Sequence, residues 1–520
     1  MSHVFKRAGI LLVITILFLA LLKYGWHISW ILWKELLYPS YGYQDHALFM
    51  GIGRALLNGL TPYVDIFENK PPGIFLVAAF SLWLNNDITF ARIAQAIVLA
   101  AIPVVVGIAG FLRLQGSSIR LRIIGSACAF MFGSMLMFFT ESYAGAFYTE
   151  SFGAAFGVAY AALTIKRKWH YIDISVAALL LLATLGFKEQ FLFSLFAVSL
   201  ISSHTFREWL ERFGIPLFIA MFLGTIALAW MGFLKAYVGT YLHYLLFDHR
   251  LILIQMGVQS PSPFHVFSWL GWIRSLHVVP FLQVTILLLM VMLFLPDRKD
   301  VNRPAWQRWL RIAATILFTL LSTQMAGNKG HQQVVGVPIY AAMFFASITI
   351  CATWWRSNRF VRITSATCMV SMIASVFFFS APSSHEWLTT ERSKEVQIKQ
   401  LAGTIDNILD QCNIERYLRF SVSKEQEYAY MRHSPLPMGL MQNDIISKLS
   451  VPLFRKQMRE SLEVAKFALI RDGDILTPEV GQYLENNFTH KLPDCAGEPD
   501  LPDHLTLLFR KTNMASLSGT

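Results

Sequence analysis

The sequence predicts an α-helical polytopic membrane protein, with about 11 transmembrane helices, interfacial helices in the first outer loop and a small C-terminal α/β extracytoplasmic domain. Three observations predict it. Hydrophobic residues make up 55% of the 520 and charged ones only 15%, for a mean hydropathy of +0.47. Apolar runs of membrane-spanning length recur from the start to about residue 381. Every second loop between them is basic.

The opening run GILLVITILFLALL (9–22) follows Lys6 and Arg7 as a signal peptide would, but no small-x-small cleavage site comes after it. Apolar character continues through Trp26 to Trp33, so it reads as an uncleaved first helix. Spans are expected at 8–33, 91–112, 123–140, 151–165, 171–186, 190–203, 214–234, 278–296, 310–326, 334–353 and 363–381. GIFLVAAFSLWL (73–84) is left out, because twelve apolar residues fall short of a bilayer core about 30 Å thick and read as interfacial or re-entrant.

Charge supports that omission. With a cytoplasmic N-terminus, the inner loops become 113–122, 166–170, 204–213, 297–311 and 354–362, which carry Arg113, Arg120 and Arg122; Lys166, Arg167 and Lys168; Arg207 and Arg212; Arg298, Lys299, Arg303, Arg308 and Arg311; and Arg356, Arg359 and Arg362. Counting 73–84 as a span would turn the next three basic loops outward, against the positive-inside rule. The C-terminus is therefore expected outside, as in a multi-pass protein of the plasma (inner) membrane with an extracytoplasmic or periplasmic tail.

The net charge of +11 has two parts. Residues 1–382 hold 28 Lys and Arg against 14 Asp and Glu, while residues 383–520 hold 16 against 19. The excess base is topological, and no nucleic-acid partner is expected. Residues 1–382 form the transmembrane domain, with outer loops 34–90 and 235–277, and 383–520 form the exported domain. In that tail Val396, Leu401, Ile405, Ile408 and Leu409 have helical spacing, and YLRFSVS, KFALIRD and LTLLFRK read as strands. Cys128, Cys351 and Cys368 fall in spans as small apolar fillers. Cys412 and Cys495 lie in the exported tail, either as a disulfide or as separate thiols.

The first outer loop is the most informative. YPSYGYQDHALF leads into an amphipathic helix with Leu48, Phe49, Ile52, Ala55 and Leu56 on one face and Arg54 off it. The chain then turns at NGLTPY and reaches DIFENKPPG. The two prolines disfavour helix at Lys70 and Pro71 and permit a helix start just after, which holds Lys70 extended at the mouth of an interfacial helix. A cation fixed at headgroup level is placed to meet a phosphate.

An acidic residue just past the first span, followed by G-x-x-P-Y-x-D-x-x-x-x-K-P-P-G and a short hydrophobic helix, resembles the first extracytoplasmic loop of polyprenyl-phosphate-dependent membrane glycosyltransferases. These are the GT-C type enzymes that include protein O-mannosyltransferases and the lipid A aminoarabinose transferase. The resemblance is greatest over residues 38–95. YTESFGAAFG (148–157), GFKEQ (186–190) and GNKGHQQVVGVP (327–338) are similar to the family's acidic, lysine and polar-loop motifs, and the tail is similar to its variable exported domain. Many relatives have Asp-Glu where this chain has Asp45-His46.

The resemblance implies transfer of a hexosyl or pentosyl group, with inversion, from a polyprenyl-phosphate sugar to an acceptor that is a lipid, a polysaccharide or a protein. Charge building on the departing phosphate needs fixed cations, for which Lys70, Lys188 and Lys329 are candidates. The acceptor hydroxyl needs a base, and Asp45 is the family-matched catalytic residue. Arg54, Glu68, Glu150, Glu189 and His331 complete the substrate-binding candidates.

Each has an ordinary competitor. Asp45 as N-cap of a helix starting at His46, Lys70 as a snorkelling lysine, Lys188 and Glu189 as a rim pair, Glu141 in place of Glu150, and His331 as part of a polar turn all stay open. The aromatic loop 235–277 is either a lipid-facing shelf or a grip on the polyprenyl chain or the acceptor. The outer histidines show no HxxxH-type spacing, so neither metal nor other cofactor is expected. A transporter or flippase for a lipid-linked sugar is the competing class. It is disfavoured because the charged residues gather at the outer ends of spans and no internal repeat is visible.

Overall fold

The structure is a computed structural model and describes residues 2–37, 44–144, 147–166, 168–255, 269–295, 305–324, 330–355, 357–378, 385–419, 427–436, 452–471, 477–497, 501–503 and 505–511. Helices follow the apolar runs: α1 (Ser2–Leu37), α2 (Gln44–Leu57), α3 (Gly73–Asn85), α4 (Thr89–Arg113), α5 (Ile119–Ala144), α6 (Thr149–Leu163), α7 (Tyr171–Phe187) and α8 (Phe191–Ser202). Phe206–Trp209 runs through a π-helical turn, Leu210–Gly214, into α9 (Ile215–Trp230). Then come α10 (Leu282–Met292), α11 (Ala305–Gln324), α12 (Val337–Trp354) and α13 (Arg359–Phe378).

Each of the eleven expected spans coincides with one of these helices. Among the described residues six segments are long and apolar enough to cross a membrane, namely Thr15–Lys34, Thr89–Arg113, Ile119–Tyr143, Phe206–Trp230, Gln332–Trp354 and Arg359–Phe378, and the chain is a multi-pass membrane protein. Among the rest, α6, α7, α8 and α10 have 15, 17, 12 and 11 residues. At about 1.5 Å per residue they cover roughly 17 to 26 Å, less than a hydrocarbon core.

Local chemistry accounts for the helix ends. Pro72 sits at the N-cap of α3 with φ −70°, and Asn86 closes that helix in the left-handed region at φ 55°, its N–H donating to Leu82 O. The N–H of His170 donates to the Asp173 carboxylate (3.0 Å) at the start of α7. Pro103 lies inside α4, where a spanning helix tolerates the missing N–H.

By contacts the chain divides into two compact units. The first is Met1–Leu37, Ile93–Gly224 and Ser262–Pro382; the second is Tyr38–Arg92, Thr225–Pro261 and Ser383–Thr520. One boundary falls between Pro382 and Ser383, and the first loop and part of the 235–277 loop gather with the tail. Specific contacts explain it. The Asn58 amide donates to Arg432 O (2.8 Å) and Ser434 Oγ (3.0 Å), Gln457 donates to Val64 O (2.9 Å), and Phe67 packs against Phe454 in a tilted pair with centroids 4.7 Å apart.

Within the second unit, α14 (His385–Gln411), β1 (Arg416–Arg419), β2 (Ser434–Pro435), α15 (Pro452–Val464), β3 (Phe467–Arg471), α16 (Pro478–Asn487), β4 (Phe488–Thr489) and β5 (Leu505–Arg510) form the expected α/β fold. Sheet order is β2-β1-β3-β5-β4, with β1 parallel to both its neighbours and β5 antiparallel to both of its own. Leu418 faces Ala468, and Phe467 faces Phe509. Leu401, Ile405, Ile408 and Leu409 of α14 are buried against Tyr417, Phe467 and Phe509, whereas Val396, expected on the same face, is exposed. Cys412 and Cys495 are joined, their Cα atoms 5.2 Å apart. The other three cysteines are free and at least half-buried.

Candidate functional site

In the first unit, α6 and α7 position the strongest charge pair. Glu150 falls in the first turn of α6, where a carboxylate is favoured by the helix dipole, and Lys188 caps the end of α7 in extended conformation, its N–H bonded to Thr184 O. Lys188 Nζ donates to Glu150 Oε1, and Thr149 Oγ1 donates to Glu150 Oε2 (2.6 Å). The lysine and glutamate side chains are 5% and 0% exposed. A buried pair of this kind holds only because each charge satisfies the other.

Glu141, the competitor for the acidic role, is paired with Lys34 at 3.3 Å. The two acids nine residues apart thus have different lysines. Lys34 escaped the sequence reading, although a lysine at the end of a long apolar run, with an acid near the end of a later one, is a usable signal. Glu189 is half-buried in the turn before α8, and its carbonyl accepts from Leu192 N–H (2.9 Å).

Residues 330–338 of the polar motif lie beside this pair's helix. Residues Gly330–Gly336 form a 3-10 turn packed against α6. A Cβ on Gly157 would stand 2.5 Å from Pro338 Cγ, so glycine permits α6 and α12 their close approach. Gln333 turns inward, its amide donating to Thr323 O (3.0 Å) and its carbonyl accepting from Gln324 (3.3 Å). Gln95 donates to Ser151 (3.3 Å), the residue after Glu150. Lys329 and the side chain of His331 lie outside the described part.

In the second unit, α2 and α3 form a hairpin. Leu48, Phe49, Ile52 and Ala55 are buried as their spacing implied, against Ile74, Phe75, Ala78 and Leu82. Gly53 makes the crossing possible, since a Cβ there would meet Ala79 N at 2.6 Å. Asp45 is the second residue of α2, so it sits in the helix's first turn rather than at an N-cap preceding His46; its side chain lies outside the described part. Arg54 donates to Asn86 Oδ1, tying the end of α2 to the cap of α3.

The motif between the hairpin arms is a built turn. Gly59 (φ 79°) and Tyr63 (φ 67°) take left-handed conformations, Asp65 accepts from Thr61 N–H (2.8 Å), and Tyr63 N–H donates to Ile66 O (2.6 Å). The Tyr63 hydroxyl donates to Lys70 O (2.8 Å), which fixes the backbone of the lysine. Lys70 Nζ stands 3.7 Å from Glu68 Oε1 and donates to Asn69 Oδ1 (2.8 Å). Glu68 is buried, and Lys70 retains 12% side-chain exposure.

Aromatic rings from residues 225–261 surround this turn. Tyr63 lies 4.9 Å from Tyr241 and Phe67 lies 4.8 Å from Tyr244, centroid to centroid. Burial first, then the charges of Glu68 and Asp248, pushes the Tyr244 phenol above its usual range. It is therefore a hydrogen-bond donor at any physiological pH. The aromatic composition of the 235–277 loop was the signal for these rings; that they close on the motif's tyrosine was not visible in it.

Among the described residues no group of three or more His, Cys, Asp or Glu is placed to hold a metal. The arrangement offers a buried lysine–glutamate pair at helix ends, Lys188 with Glu150, and a part-exposed one on a proline-bounded turn, Lys70 with Glu68.

No family model matches the chain, and no curated protein matches it. Among solved structures it is similar to the crystal structure of ArnT from Cupriavidus metallidurans bound to undecaprenyl phosphate, with a TM-score of 0.47 and 12% identity, covering 98% of this chain and 99% of that one.

Proposed function

We propose that this protein is an integral-membrane glycosyltransferase of GT-C type that moves a sugar from a polyprenyl-phosphate donor to an acceptor on the extracytoplasmic face, with inversion. The observation that carries the reading is Lys70. Its ammonium is held by Glu68 and Asn69 on a rigid turn, one Pro-Pro step before the 13-residue apolar helix α3. A helix of that length and composition lies along an interface rather than across it, so the lysine belongs at the depth of lipid phosphates. The disulfide between Cys412 and Cys495 supports export of the tail, because such bonds persist in oxidising compartments.

In this reading the acceptor oxygen attacks the anomeric carbon from the face opposite the phosphate. The carbon–oxygen bond to phosphate breaks and its electron pair stays on the phosphate oxygen, while the acceptor's proton passes to Asp45. Lys70 offsets the charge that develops on the phosphate, and Lys188 and Lys329 stay substrate-binding candidates. Glu68 orients Lys70, Glu150 orients Lys188, and Arg54, Glu189 and His331 remain candidates for sugar contacts. A transporter reading is less well supported, since Glu150 and Lys188 occupy a helix start and a helix end rather than broken midplane helices.

The test is to incubate the purified protein with a panel of polyprenyl-phosphate sugars and envelope-derived acceptors, and to measure release of polyprenyl phosphate. Release dependent on Asp45 and Lys70 is expected. No release from any donor, combined with passage of labelled donor between leaflets of proteoliposomes, would replace the enzyme by a flippase.

A further inference from the structure

The turn that carries Lys70 is gripped by the tail. Pro452 opens α15, and Phe454, Met458 and Leu462 recur along that helix as a buried stripe, while Lys456, Arg459 and Glu460 stay exposed. The far end of α15 is built into the tail's own fold, where the Tyr483 hydroxyl donates to Leu462 O (3.3 Å) and Arg510 Nη1 donates to Ala465 O (3.2 Å). Its near end meets the first loop. Phe454 lies 4.7 Å from Phe67 and 5.5 Å from Tyr244, and Phe67 lies 4.8 Å from Tyr244, centroid to centroid. Three distant stretches of chain thus close one ring cluster, with every ring at most 2% exposed. Just along the helix, Gln457 Nε2 donates to Val64 O (2.9 Å).

These contacts reach Lys70 through short links. Phe67 precedes Lys70 by three residues, and the Tyr63 ring, 6.3 Å from that of Phe67, belongs to the residue whose hydroxyl donates to Lys70 O. Tyr63 holds φ 67°, a left-handed conformation that a bulky residue keeps only where its surroundings over-determine it. Phe454 and Gln457 belong to those surroundings: one packs on the ring beside Tyr63, and the other bonds the carbonyl of the residue after it. Removing the Phe454 ring leaves a hole in a close-packed cluster, and the turn is the neighbour that can relax into it.

We propose that the tail acts as a positioning element for Lys70, with Phe454 and Gln457 of α15 as positioning residues that fix where the lysine's ammonium stands. The proposal rests on the glycosyltransferase reading in one respect, that a polyprenyl phosphate is what Lys70 meets. Two measurements on full-length protein in one detergent separate the two ideas. Hydrogen exchange of peptides covering residues 58–72 reports the turn itself, through amides such as that of Asp65, which donates to Thr61 O (2.9 Å). Native mass spectrometry with undecaprenyl phosphate reports what the turn presents.

Phe454→Ala should speed exchange of those peptides about 10-fold, with peptides of α4 to α6 unchanged, and weaken undecaprenyl phosphate binding about 10-fold. Phe454→Leu, which refills most of the hole, should restore both. Gln457→Ala should act in the same direction by about 3-fold, and it carries the test if Phe454→Ala fails to fold. In a Lys70→Ala background, Phe454→Ala should weaken binding no further, an outcome that a merely structural ring would not give. Unchanged exchange of residues 58–72 in both variants would overturn the proposal, as would losses from Phe454→Ala and Lys70→Ala that simply multiply. Parental protein that binds no undecaprenyl phosphate, with the turn loosened in the variants, would overturn the donor reading and support the tail's hold on Lys70.

Discussion

Two of the molecule's lysine–glutamate pairs, of identical chemistry, are arranged in opposite ways. Lys188 and Glu150 are hydrogen-bonded to each other between the end of one helix and the start of another, 38 residues apart, and both are buried. Lys70 and Glu68 are two residues apart on one turn, 3.7 Å from each other, with the ammonium shared with Asn69 and part-exposed. The first pair needs its partner to exist at all in a low-dielectric setting; the second holds a cation in a fixed place while leaving it close to the surface. Burial thus separates a charge locked in its pair from a presented one better than residue type does.

The largest expected effect tests whether the loop carrying Lys70 is where the chemistry happens. Asp45→Asn should lower transfer about 10²- to 10⁴-fold with the melting midpoint unchanged, since Asn keeps the size of Asp and the charge is removed from a first helical turn where it contributes only tenths of a kcal/mol. Parental transfer rates in Asp45→Asn would move the base elsewhere, Glu68 being next in the same loop.

Next in size, Glu150→Gln strands the Lys188 ammonium without its counter-charge and should cost about 3 to 5 kcal/mol of stability. The double variant Glu150→Gln with Lys188→Met should recover most of it. Thermal unfolding of the three proteins in one detergent decides; a double variant as unstable as the single one would mean that the pair is not the reason for the loss.

Lys70→Ala should weaken donor use by about 1.5 to 3 kcal/mol with little change in folding, and Lys70→Arg should retain part of the contact. Donor-lipid binding by the two variants distinguishes a presented cation from a snorkelling one, which would leave binding untouched. Smallest of all, Arg54→Ala removes the hydrogen bond to Asn86 and should cost roughly 1 kcal/mol of loop stability with donor binding intact. A selective loss of donor binding in that variant would return Arg54 to the substrate.

Much was legible before any coordinates because it is local. Apolar runs marked where helices fall among the described residues of 1–378, with ends off by up to about six residues, and amphipathic spacing marked α2, since hydrophobic length and Pro or Gly punctuation act over neighbouring residues. The Pro-Pro step predicted the start of α3, and the alternating strands of the tail were read from KFALIRD and LTLLFRK. In the candidate site, Glu68 and Lys70 were adjacent in the sequence and remained so in space.

Everything that joins distant residues was decided by the tertiary structure. Whether Lys188 meets Glu189 beside it or Glu150 across from it, whether Glu141 takes Lys34, and whether Cys412 finds Cys495 across 83 residues all depend on which helix ends and strands are brought together. So does the gathering of the first loop with the tail through Asn58, Phe67 and Gln457. The physical reason is that charge, thiol and ring contacts are short-ranged: a sequence states which groups are available, while the pairing is set by burial and packing within about 4 Å.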